Sequence, residues 1–305
     1  MTKLKAREWI GLFKNTYVKW SADDPFRQSA TIAYYAIFSL PALLVIVIGL
    51  AGFVFGHDAV TGKVSAAISS AMGKETADQI QDIVAKSMMS KNSIWATLIG
   101  AVTLVMGATG VFMELKKSLN FIWEVKPKPT KKFLKTVMDN LFSFGLILSI
   151  GFLLLVSFVI TTLLGALGHL ISSRFSEAVT ILIHILNFVM SFAVITVLFA
   201  LMFKILPDAK TKWKYIWHGA ILTSFLFILG KYGLALYFGK FKPASTYGAA
   251  GSIVLILLWV SYSCMILFFG VEFTKQLQER KEGKIVPDED ALKVKPVDQD
   301  PVKGK

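Results

Sequence analysis

Long unbroken apolar runs, separated by charged connections, set the pattern of the chain. Six runs reach the roughly 20 residues a helix needs to cross a hydrocarbon core: about 30–56, 93–113, 137–166, 178–206, 215–238 and 247–274. They predict an all-α polytopic membrane protein with six transmembrane helices, forming a single membrane domain over 1–275. The first run is no cleavable signal, because it exceeds an h-region and lies behind a long polar leader. In that leader Trp9, Phe13, Tyr17 and Trp20 recur at steps of four, four and three, one face of a helix. Lys5, Arg7, Lys14 and Lys19 hold the other faces wet, so 5–20 reads as an amphipathic helix. It either lies in the cytoplasmic interface or packs on the bundle. Asp23-Asp24-Pro25 ends it.

The large 1–2 loop, about 57–92, carries a capping box at Thr76–Gln79 followed by Ile80, Ile83, Val84 and Met88 at helical spacing. A second, shorter helix is expected near 63–72. Together they predict a small extracytoplasmic helical cap. The 2–3 connection continues the second span as helix and stops before Pro127-Lys128-Pro129. Residues 276–305 are charged, mixed in sign and interrupted by Pro287, Pro296 and Pro301, the composition of a disordered tail.

Composition agrees with the runs: 54% of the residues are hydrophobic and 17% charged, and the mean hydropathy is +0.60. The net charge of +13 suggests a nucleic-acid partner until its distribution is read. The leader, the 2–3 and 4–5 connections and the tail hold 25 Lys and Arg, and the alternate connections hold seven. That asymmetry predicts a multi-pass protein of a bacterial inner membrane with both termini cytoplasmic. It absorbs the charge, so no nucleic acid is implied. Lys231 is the one basic residue assigned to neither side.

No H-E-x-x-H or C-x-x-C cluster, P-loop or G-x-S-x-G elbow occurs. The sequence therefore implies no catalytic residue, no metal site, no cofactor and no enzyme. Cys264 reads as a small buried residue. Gly52 with Gly56, and Gly107 with Gly110, read as close helix-packing surfaces. Polar groups inside spans are the stronger leads. Lys231, beside Tyr232, lies roughly 10 Å below the outer end of the fifth span, at 1.5 Å per residue. His184 and Asn187 lie roughly 9–14 Å below the outer end of the fourth, so the three share a layer. Lys231 has two readings: an interior cation that meets an anionic group, or a side chain that snorkels to the outer interface. His184 and Asn187 could equally be an interhelical hydrogen bond. Tyr247, Gly248, Gly251 and Ser252 give the sixth span a small, open start, suited to an anion or to tight packing. Glu114, Lys117 and Asn120 end the second span as a solvated helix surface, and Tyr34, Tyr35 and Glu114 are the candidates for the cytoplasmic end of a path.

The runs "ATIAYYAIFSLPALLVIVIGLAGFVFG" (30–56), "GVFMELKKSLNFIWEV" (110–125), "LMFKILPDAKTKWKYIWHGAILTSFLFILGKYGLALYFG" (201–239) and "YGAAGSIVLILLWVSYSCMILFFGVEF" (247–273) resemble the YihY/virulence factor BrkB family over about 20–280. The resemblance implies a six-helix bacterial inner-membrane protein. The family also carries an old "ribonuclease BN" label. A metal-dependent ribonuclease needs clustered His and carboxylate ligands, and the four histidines here are scattered, so the label is not carried over. Transport or lipid handling has been suspected in the family. The expectation is a non-enzymatic protein that moves or handles a lipid-like or anionic amphipathic molecule. The alternative is a structural envelope scaffold. Membrane lipids and envelope proteins are the expected partners, and no oligomeric state follows from the sequence.

Overall fold

The computed structural model describes residues 6–39, 94–128, 177–241, 251–283, 286–289 and 291–294, with isolated positions between 61 and 81. The third expected span, most of the first and Tyr247–Ala250 lie outside the described residues. So do the side chains of His184, Asn187 and Ser252.

The described chain is predominantly helical. Helix α1 is Ala6–Ala22, and α2 covers 25–39. They are followed by α3, Ile94–Ile122, α4, Glu177–Ile205, α5, Trp213–Phe241, and α6, Gly251–Glu282. The described positions between 61 and 81 are also helical. Three stretches are long and apolar enough to cross a membrane among the described residues: Phe188–Ile205, Trp213–Phe238 and Ile253–Glu282. Their outward faces are apolar; Ile185, Leu186, Phe188 and Val189 of α4 all stand exposed. Such a surface is stable against lipid and costly in water.

The helix ends follow local chemistry. Asp24 adopts a left-handed φ of 52° between α1 and α2, and Pro25 opens α2 where a missing N–H costs nothing. The Asp24 carboxylate accepts from Arg27 at 2.9 Å. α6 closes at Gly283, whose φ of +81° lets its N–H donate to the Glu279 carbonyl at 2.7 Å.

Among the described residues, four short strands, absent from the all-α expectation, lie outside the helices. β1 (Val125–Pro127) pairs antiparallel with β4 (Ala291–Lys293), with Lys126 opposite Leu292. β2 (Ala209–Lys210) pairs antiparallel with β3 (Val286–Pro287). The sequence reading leaves 276–305 without structure; the chain instead stays helical to Glu282 and then forms β3 and β4. The prolines fit because they sit in pairs only two or three residues long, where a missing donor is tolerated. Val294 N–H adds a bond to the Glu124 carbonyl at 2.9 Å, and Asp288 N–H one to the Asp208 carbonyl at 3.0 Å.

The chain divides into two units, 1–119 with 226–272, and 120–225 with 273–305. The core of the first includes Leu12, Ile32, Ala33, Leu255, Phe268 and Val271, and that of the second Trp123, Phe203, Ile216, Ala220, Phe273 and Leu277.

Candidate functional site

α5 has two unlike faces. Ile216, Ala220, Thr223 and Ser224 are buried. Their row continues at steps of three and four through Phe227, Lys231, Leu234 and Phe238. On the opposite row Trp217, Ile221, Phe225, Leu229, Tyr232 and Leu236 are all exposed. Lys231, half-buried, thus belongs to the row that faces protein. Among the described residues it has no ion pair and no hydrogen bond. Tyr232, at 60% exposure, belongs to the other row, so the two neighbours leave the helix on different sides.

The side of α5 next to Lys231 meets α6 closely. A Cβ on Gly230 would overlap the Tyr262 hydroxyl. That hydroxyl donates to the Leu226 carbonyl at 3.3 Å. The Phe227 ring meets Trp259 edge-on at 6.0 Å. Lys231 therefore flanks a tight contact that only glycine permits. Gly233, on the other side of the lysine, has open space around it. Thr223 and Ser224 satisfy themselves by donating to Gly219 and Ala220 carbonyls at 2.7 and 2.8 Å.

Exposed tryptophans and tyrosines fall in two groups along α5. Trp213 and Trp217, 6.3 Å apart, form one and Tyr232 and Tyr237 the other. At 1.5 Å per residue these pairs are separated by about 22 to 36 Å, bracketing a hydrocarbon core of about 30 Å. Lys231 is adjacent in sequence to Tyr232 of the second pair.

The other expected site residues divide. His184 and Asn187 are helical positions of α4. Gly251 opens α6 and is buried. Tyr34 and Tyr35 meet edge-on at 5.8 Å but differ in surroundings: Tyr34 is 58% exposed and also meets Phe38 edge-on, whereas the Tyr35 ring lies where a Cβ on Gly110 would fall. Gly107 faces Ser39 in the same way, so α2 and α3 pack closely through small residues. Glu114 follows Gly110 by one turn on that face, and its carboxylate takes Lys117 at 3.4 Å.

A polar cluster in the second unit escapes the sequence reading. Asn120, expected in a solvated surface, is 5% exposed. Its amide donates to Asp208 Oδ2 at 2.8 Å and its carbonyl accepts the Asp208 N–H at 2.8 Å. Lys275, a cation counted on the wet side, has a side chain only 3% exposed and pairs with Glu124 at 2.8 Å. Glu124 holds a left-handed φ of 54°. Gln278 holds the Lys210 carbonyl and the Lys212 N–H. Glu282 takes Lys212 at 2.8 Å and Lys214 at 2.9 Å, and accepts from the Tyr215 hydroxyl at 3.0 Å. The bonds from Lys212, then Lys214, lower the Glu282 carboxyl from 4.5 to about 2. The hydrogen bonds that Lys214 makes with Tyr215, then Glu282, raise its ammonium. Contacts over such sequence separations leave no periodicity to read. The four-residue spacing of Gln278 and Glu282 was the available hint.

This arrangement is that of an α-helical membrane protein with a polar, ion-paired cluster at helix ends and in the short segments beside them. The chain belongs to the Virulence factor BrkB family, whose model matches residues 16–294. A UPF0761 membrane protein from Pseudoalteromonas atlantica is 25% identical over 295 residues, 93% of this chain and 94% of that one. Another from Vibrio cholerae is 28% identical over 187 residues, 61% of this chain and 60% of its own. A third from Tolumonas auensis is 31% identical over 199 residues, 63% of this chain and 61% of its own. No solved structure matches the chain.

Proposed function

We propose that the protein is a six-span bacterial inner-membrane protein with cytoplasmic termini that handles or moves an anionic amphipathic molecule, a lipid being the simplest case. Lys231 supplies the headgroup contact. The observation that carries this reading is the position of Lys231 on the protein-facing row of α5, with no partner among the described residues. A lysine already held by a carboxylate would have no charge to offer an anion. The aromatic band beside it sets the expected depth, where a phosphate and a lysine stem can meet without carrying the ammonium to the membrane centre. Tyr247, Gly248, Gly251 and Ser252 are the proposed companions of this contact. Tyr35 and Glu114 are the proposed residues of the other end.

Purified protein in liposomes with labelled phospholipids or envelope lipid precursors tests the reading. Wild type is expected to accelerate transfer of at least one anionic lipid. Lys231→Met is expected to lower the rate at least tenfold, and Lys231→Arg to keep most of it, since the charge persists while its geometry changes. Equal rates for wild type and Lys231→Met, with equal folding, would end the case for this residue. No acceleration by wild type over lipid alone would favour the scaffold, in which the paired cluster of Asn120, Glu124, Asp208, Lys275 and Glu282 only holds the chain together.

A further inference from the structure

α1 presents two opposite faces. Leu12 and Thr16 are buried. Trp20, on the same face, donates its indole N–H to the Met265 carbonyl at 3.1 Å and meets the Phe269 ring edge-on at 5.9 Å. Arg7, Ile10, Lys14, Tyr17 and Ser21, at alternating steps of three and four, form the opposite face, and all are exposed. Ile10 is 70% and Tyr17 60% exposed, with Phe13 and Val18 exposed at the borders. The aromatic face read from the sequence is therefore split: Trp20 docks, while Tyr17 turns outward.

The docking partner fixes the level of the helix. Met265 and Phe269 belong to the apolar stretch Ile253–Glu282. Phe269 lies about 4–5 Å inside Glu272, the first charge at the end of the apolar run, at 1.5 Å per residue. A helix held there has its outward face at the boundary between acyl chains and headgroups. Arg7 and Lys14 stand on that face among apolar side chains, and neither has an ion pair or hydrogen bond among the described residues. Basic groups interleaved with Ile and Tyr suit a surface that is apolar at one depth and anionic a few ångströms further out.

We propose that α1 is an anionic-lipid-binding helix. Ile10 and Tyr17 enter the acyl region, and Arg7 and Lys14 meet lipid phosphates. The proposal stands apart from the role of Lys231, because it needs no transport.

The test uses the full chain with Cys264, its one cysteine, changed by Cys264→Ala. Spin labels are placed through Ile10→Cys, Tyr17→Cys and, on another face, Asn15→Cys. The protein is reconstituted in phosphatidylcholine with and without phosphatidylglycerol. Labels at 10 and 17 are expected to collide with oxygen in preference to an aqueous nickel chelate, and the label at 15 the reverse. The double variant Arg7→Gln with Lys14→Gln, purified from mixed-lipid membranes, is expected to retain less phosphatidylglycerol, with a preference over phosphatidylcholine reduced roughly fivefold per charge removed. Nickel access at 10 and 17 equal to that at 15 would overturn the lipid contact. Shielding of both labels from both reagents would assign the face to a protein neighbour and overturn it too. Unchanged phosphatidylglycerol retention in the double variant would overturn the role of the two cations.

Discussion

Asn120 uses both ends of its amide on one partner, donating to the Asp208 carboxylate and accepting the Asp208 N–H. No other uncharged side chain of its size can do both. Asn120→Ala removes the donor and the acceptor together inside a buried site, and is expected to destabilise the protein by about 1–3 kcal/mol. Asn120→Asp is expected to cost more at neutral pH, because it sets a second carboxylate against the first. Thermal unfolding in detergent reads both, and a neutral Asn120→Ala would contradict the pairing. The residue was visible in the sequence, but its partner was not. A polar group at the end of an apolar helix is usually solvated, and nothing local at 120 announces Asp208. Lys275 repeats the lesson: by type it belongs in water, and pairing with Glu124 buries it.

Among the elements, α6 departs furthest from expectation. Its apolar run ends near 274, but the helix continues to Glu282, held by side chains on its final turns. Glu282 closes this extension on Lys212 and Lys214. Its folded carboxyl titrates near 2 rather than 4.5, so the folded state binds the proton more weakly than the unfolded one. The stabilisation is therefore complete above about pH 4.5 and is lost as the pH falls toward 2. The difference in unfolding temperature between wild type and Glu282→Gln is expected to be constant from pH 7 to about 5 and to shrink below that. A difference that grows on acidification would contradict the assignment. Helices α4 and α5 were legible to within about three residues at each end, because a long apolar run is a strong signal. β3 and β4 were not, since strands of two and three residues are too short for period-two alternation, and their prolines read as breakers.

For the whole molecule, charge placement and aromatic bands give complementary information. The excess of Lys and Arg in alternate connections predicts which side is cytoplasmic, and the exposed Trp and Tyr pairs of α5 predict where its ends meet the headgroups. On a Cys264→Ala background, Lys74→Cys is expected to react with an impermeant maleimide in intact cells. Lys293→Cys is expected to react only after permeabilisation. The opposite pattern would reverse the topology and put Lys231 on the cytoplasmic side. That Lys231 stands inside a long apolar helix was legible. Its facing was not, because a lone lysine in an apolar run gives no sign of which side is covered; the burial of Ala220, Thr223 and Phe238 supplies it.

The pairing of β1 with β4 and of β2 with β3 also imposes an order of manufacture. Ribosomes deliver Val125 and Ala209 well before Lys293 and Pro287. Both early segments must wait beside the nascent membrane helices with their backbone groups hydrated. The last strands join them only after α6 has been made. Closure of this end is thus a late assembly event, and a synthesis that stalls between 283 and 294 would leave inserted helices without their final fastening.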